Sequence, residues 1–78
     1  MAYDKKRVGR RIKSLRIDKG YDQKKLSALS SVPIQTIQSY EAGTSIMGMV
    51  NATKLADALE CSLDRLTAHD EQLESEMS

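Results

Sequence analysis

The stretch Asp22–Gly43, DQKKLSALSSVPIQTIQSYEAG, constrains this chain more than any other, because it reads as two short helices joined by a tight turn. Residues Gln23–Ser30 carry Leu26, Ala28 and Leu29, and the Asp22 carboxylate is placed to cap the first turn. Ser30 and Ser31 interrupt the pattern, and Val32 follows. Pro33 then opens a second helix, whose first N–H groups have no intrahelical partner, so the missing proline N–H costs nothing there.

At about 100° per residue, Ile37, Tyr40 and Glu41 fall on one side of that second helix, with Ile34 at its border. Gln35, Gln38, Ser39 and Ala42 fall on the other, with Thr36 at its edge. A merely solvated face usually carries Lys and Glu. Amides and hydroxyls suit hydrogen bonding to base edges instead, and helix, short turn, helix is the helix-turn-helix pattern. An ordinary helical hairpin is the alternative on this segment alone.

The remainder must supply a core for that pair. With 78 residues the chain is bounded to one domain, and a chain this small buries only about 60% of its unfolded surface. Phe and Trp are absent, so the core comes from Leu, Ile, Val, Ala, Met and Tyr, which suits helices. One proline and no β-branched runs argue against a sheet. The expected class is all-α.

Cys61 is the single cysteine, so an internal disulfide is excluded and a reducing compartment is expected. No apolar run approaches the roughly 20 residues needed to span a bilayer, and no secretory signal opens the chain. The expected location is the cytoplasm. The net charge of +1 hides an asymmetry: residues 1–25 hold ten cations against three acids (+7), and residues 26–78 two against eight (−6). One end suits a polyanion and the other repels it; a solvated charged face around the first helix is the plainer reading.

In chain order, residues 1–3 are a loose arm, and Asp4 caps a helix running to about Lys19. Val8, Ile12, Leu15 and Arg16 mark its inward stripe, and Gly20 ends it where a left-handed residue is cheapest. Tyr21 packs the turn back onto the core. Ala52, Leu55, Ala56 and Leu59 show helical periodicity, and Ser62 reads as the N-cap of a short helix with Leu63 and Leu66. Cys61 is expected as a core thiol, not a nucleophile or ligand, because no partner set accompanies it. His69 is expected at the surface, and the acidic tail 70–78 is expected to be either a frayed helix or disordered.

Three patterns in this order are specific together. V-G-x-x-I-x-x-L-R-x-x-x-G-x-x-Q-x-x-L runs from Val8 to Leu26, I-x-x-Y-E-x-G from Ile37 to Gly43, and L-A-x-A-L-x-x-S-L-D-x-L from Leu55 to Leu66. The chain thereby resembles the XRE, or Cro/phage-repressor, type of helix-turn-helix DNA-binding domain. The resemblance implies a compact five-helix bundle over 1–69, with helix 4 near Met49–Leu59 and helix 5 near Ser62–Ala68. Two departures stand out. Ser31 occupies a turn position that is usually glycine, so it is either left-handed, at roughly 1 kcal/mol, or the turn differs. The 44–49 loop, TSIMGM, has Ile46 and Met47 where relatives often carry phosphate-gripping Lys or Arg. Those two side chains either fold onto helix 4 or form a patch for a protein partner or second protomer.

The inventory leaves little for catalysis, with one His, one Cys and no glycine-rich motif. No enzyme activity, cofactor or metal is expected. The resemblance implies sequence-specific binding of double-stranded DNA, helix 3 in the major groove and helix 2 across the backbone. Gln35 is the expected principal base reader, joined by Gln38 and Ser39, with Thr36 on a base or phosphate and Ile34 against a thymine methyl. Gln23 and Lys24 are expected on phosphate at the start of helix 2, with Arg10 and Arg11 as further backbone contacts from helix 1. Arg16 and Glu41 interrupt apolar stripes on helices 1 and 3, and are expected to meet as a partly buried ion pair, as these positions often do in the family. The implied role is transcriptional repression by a dimer. The alternative is a protein-interaction module, such as an antitoxin-like partner-binding protein with slight DNA affinity.

Overall fold

The computed structural model describes residues 4–67, and every regular element in them is a helix. These are α1 Lys5–Asp18, α2 Gln23–Ser30, α3 Ile34–Ala42, α4 Met49–Leu59 and α5 Leu63–Thr67. The all-α expectation and the five-helix order are thus both met. Residues 1–3, His69 and the acidic stretch 70–78 lie outside the described residues, as does Ala68, the expected end of the last helix.

Local chemistry sets the boundaries. Asp4 Oδ1 accepts from the N–H groups of Lys6 and Arg7 at 3.1 and 3.2 Å, and the bond from Arg7 holds its carboxyl below the ordinary carboxylate range. Asp22 Oδ1 accepts from the Lys25 N–H at 2.7 Å, and Ser62 Oγ from the Arg65 N–H at 3.0 Å. Gly20, at φ +78°, turns the chain out of α1. Glu60 does the same after α4 at φ 57°, without a glycine's freedom, and pairs across the surface with Lys19 at the end of α1.

The helices close on one core of Val8, Ile12, Leu26, Val32, Ile37, Tyr40, Met47, Ala52, Leu55, Ala56, Leu59 and Leu66. Contact between α1 and α3 is intimate because of Gly9: a Cβ there would stand 2.0 Å from the Tyr40 carbonyl oxygen. Tyr40 is buried, and its hydroxyl accepts from Asn51 Nδ2 at 2.8 Å, joining α3 to α4. Cys61 is only half-buried at the margin of this core, so the expected core thiol is a rim thiol; its partial burial pushes the thiol pKa up.

The loop between α3 and α4 resolves the open question about its apolar pair. Met47 is 7% exposed and joins the core, whereas Ile46 is 69% exposed. Met49 and Val50, in the first turn of α4, are each 68% exposed. The exposed large apolar side chains of this stretch are therefore Ile46, Met49 and Val50, not Ile46 with Met47. No helix among the described residues is long and apolar enough to cross a membrane.

Candidate nucleic-acid interface

The turn between α2 and α3 is held by serines rather than by a glycine. Ser31 adopts the left-handed conformation, φ 63° and ψ 22°, and its N–H donates to the Ser27 carbonyl at 2.9 Å. The Ser27 hydroxyl donates to the Val32 carbonyl at 2.6 Å, and buried Ser30 Oγ accepts from the Val32 N–H at 3.2 Å. Val32 itself is fully buried and anchors the turn. The serines that break the hydrophobic pattern thus supply the turn with partners it would otherwise lack.

From this turn α3 starts at Ile34, with Pro33 at its N-cap and the Pro33 carbonyl accepting from Thr36 and Ile37 N–H at 3.0 and 3.1 Å. Ile37 and Tyr40 point into the core. Gln35, Gln38 and Ala42 are exposed, and Ile34, Thr36 and Ser39 half-exposed. The five residues expected to read bases therefore share one accessible, uncharged face. At the far end Gly43, at φ +76°, closes the helix, and the Ser39 carbonyl accepts from the Thr44 N–H and hydroxyl at 3.0 and 3.2 Å.

A charged network fixes α3 to α1 and α2. Arg16 Nε donates to Glu41 Oε2 at 2.7 Å, Nη2 to Oε1 at 3.0 Å, and Nη1 to the Tyr21 carbonyl at 2.9 Å. Side-chain exposure is 11% for Arg16 and 5% for Glu41, and the bond to Glu41 raises the Arg16 pKa above its already high ordinary value. Gln23 Nε2 donates to Glu41 Oε1 at 3.1 Å, and Gln38 Nε2 donates to Gln23 Oε1 at 3.4 Å. The side-chain amide of Gln23, expected on phosphate, has its nitrogen and its oxygen each hydrogen-bonded to α3. The partner that holds its nitrogen is the buried Glu41 carboxylate, 18 residues later in the chain.

Lys24 is exposed in the first turn of α2, as expected of a backbone contact. The helix 1 arginines are placed differently. Gly9 marks the side of α1 that meets α3, and Arg11 lies about 200° round the helix from it. Arg11 faces a cleft shared with Arg65 of α5, and Arg10, exposed, lines the outer edge of the same cleft. The Lys6 stem packs against Gly43 at the end of α3, and Lys13 lines a shallow cleft with Arg10 and Ile17. The spacing Lys6, Gly9, Lys13, Arg16 follows one helical line, a signal present in the sequence itself. Among the described residues no group of three His, Cys, Asp or Glu side chains is placed to hold a metal ion.

Comparison with known proteins agrees with this fold. The profile of a family described as Helix-turn-helix matches residues 12–66. Among solved structures, the chain is similar to the restriction-modification controller protein C.AhdI from Aeromonas hydrophila, at 33% identity and a TM-score of 0.78, over 81% of this chain and 96% of that one. It is also similar to an HTH_3 family transcriptional regulator from Vibrio cholerae, at 27% identity and a TM-score of 0.81. That match takes in 90% of this chain but only 39% of the Vibrio protein. A hypothetical transcription factor, NHTF, from Neisseria shares the fold at 19% identity and a TM-score of 0.81, over 92% of this chain and 84% of that one. No curated protein sequence gives a match.

Proposed function

Since the chain belongs to the helix-turn-helix family matched over residues 12–66, we propose that it is a transcriptional regulator, a repressor, that binds double-stranded DNA sequence-specifically in the cytoplasm. The observation that carries this reading is the exposed, uncharged amide and hydroxyl face of α3, held rigidly against α1 and α2 by the Arg16–Glu41–Gln23 network. A face of that chemistry on a fixed helix fits the major groove. Gln35 pairs with an adenine N6/N7 edge, Ser39 one turn further on reaches the same groove floor, Gln38 and Thr36 add polar contacts, and Ile34 meets a thymine methyl. Lys24 and the backbone N–H groups opening α2 hold a phosphate, with Lys6 supplying positive charge beside α3. The restriction-modification controller and the Vibrio regulator named above support the regulatory reading.

Reading and gripping separate under mutation. Gln35→Ala costs roughly 1–3 kcal/mol on an operator selected from a random DNA pool and almost nothing on scrambled duplex. Lys24→Ala weakens both about equally and lowers the log–log salt slope by about one from a parent value of at least about −3. Equal weakening of both duplexes by Gln35→Ala would remove α3 as the reading element.

The exposed Ile46, Met49 and Val50 favour a second reading beside the first. Exposed apolar side chains of this kind next to the recognition helix suit a second copy of the chain on DNA, or a protein partner of the antitoxin-like kind. Sedimentation with and without random duplex separates the two: assembly on DNA supports the dimeric regulator, and no effect of DNA supports the partner-binding module.

A further inference from the structure

Resting on that DNA-reading role, we propose that Gln23 is a positioning residue that sets the hydrogen-bond polarity of Gln38, so that Gln38 turns its carbonyl oxygen to the major groove and takes a base edge that donates. Such an edge is cytosine N4–H or adenine N6–H.

The polarity begins at Arg16, whose guanidinium has donors only. Its Nε and Nη2 bind both oxygens of Glu41. That carboxylate has acceptors only, and with its side chain 5% exposed the remaining contact has to come from a donor. Gln23 meets the need by turning Nε2 inward, at 3.1 Å from Glu41 Oε1. An amide with its NH2 turned in has its oxygen turned out, and flipping it would set oxygen against oxygen. Gln38 must then approach Gln23 as a donor, and Nε2 does so at 3.4 Å. The last bond is long and exposed, so it biases Gln38 rather than locking it.

What the bias leaves outward is the Gln38 carbonyl oxygen, with the second Nε2 hydrogen beside it. Gln35, by contrast, has no side-chain partner among the described residues and can present its amide either way round. The two glutamines on one face are therefore unequal: Gln35 adapts to its base, and Gln38 arrives already turned. The sense of that turn is set by a buried ion pair on the other side of the helix.

The first test uses the full chain without DNA. In Gln23→Met, of similar length and without donor or acceptor, the Gln38 side-chain amide resonances shift and those of Gln35 do not; well-dispersed backbone signals show that the fold is kept. The second selects bound sequences from a random pool. Gln38→Ala identifies the base pair that Gln38 reads; on duplexes whose amino-bearing base there is replaced by an analogue without the amino group the parent loses its preference, and on duplexes with a 7-deaza purine there it keeps it. Gln23→Met relaxes preference at that base pair about 3- to 10-fold, the scale of ordering one long side chain, and leaves the position lost in Gln35→Ala intact.

Unchanged preference at the Gln38 position in Gln23→Met overturns the assignment. So does a uniform loss on selected and scrambled duplexes, which would make Gln23 a phosphate contact alone, or a preference at the Gln38 position that survives loss of the amino group but not 7-deaza substitution. A parent that selects no sequence overturns the DNA reading itself and this role for Gln38 with it; the amide coupling, if present, is then structural only.

Discussion

Replacing Arg16 by Met deletes three hydrogen bonds at once, two to Glu41 and one to the Tyr21 carbonyl. The cost comes less from the lost bonds than from what they leave behind. Breaking a fully buried pair by removing one partner costs about 3–5 kcal/mol, because the other charge is stranded. Glu41 is almost fully enclosed at 5% exposure, but it keeps the Gln23 donor, and the 11% exposure of Arg16 lets water reach the vacated space. The expected loss is therefore about 2–4 kcal/mol, including the orphaned Tyr21 carbonyl. For a domain of this size that lowers Tm by roughly 10–25 °C. Adding Glu41→Leu to Arg16→Met removes the stranded carboxylate, so the double variant should lose less than the sum of the two single losses by at least about 1.5 kcal/mol. Urea unfolding of the four proteins, followed by circular dichroism, gives the cycle. An Arg16→Met protein within about 0.5 kcal/mol of the parent, Glu41 unchanged, would refute the reasoning.

Three further outcomes are expected. Ser31→Gly should raise stability by about 0.5–1 kcal/mol, since the exposed serine holds a left-handed backbone that glycine adopts freely, the gain being reduced by glycine's greater unfolded-state entropy; a loss in urea unfolding would contradict this. Gly9→Ala should destabilise by about 3 kcal/mol, because its Cβ would meet backbone, the Tyr40 carbonyl oxygen, and α1 has to move off α3; calorimetry showing an unchanged Tm would exclude that crossing. Acid should destabilise in part through Glu60, held below the ordinary carboxylate range by Lys19. A depressed folded pKa contributes stability above the ordinary value and loses it as pH falls through the folded one. Glu60→Gln should therefore flatten the acid limb of a stability–pH curve, and an identical limb would count against the pair.

Where the determinants were local, the sequence already contained the answer. Asp4, Asp22 and Ser62 cap helices within three residues of themselves, and Gly20 leaves α1 by its own backbone freedom. Periodicity alone separated Ile37 and Tyr40 from Gln35 and Gln38, because the face a helical residue occupies follows from its position. The meeting of Arg16 with Glu41 was legible for a related reason: each charge interrupts an apolar stripe, and two such interruptions of opposite sign can only be accommodated together.

What tertiary structure alone decided concerns residues whose local pattern permits two fates. Ile46 and Met47 are adjacent and apolar, and only the space beneath α4 selects Met47 for the core and leaves Ile46 outside. Gln23 opens α2 with an amide whose local pattern names no partner, and a buried acceptor on α3 supplies one. Arg10 and Arg11 are cations on a basic helix, and the packing of α1 between α3 and α5 turns Arg11 toward α5. In each case the choice depends on neighbours far away in the chain, whose positions exist only once the helices have packed.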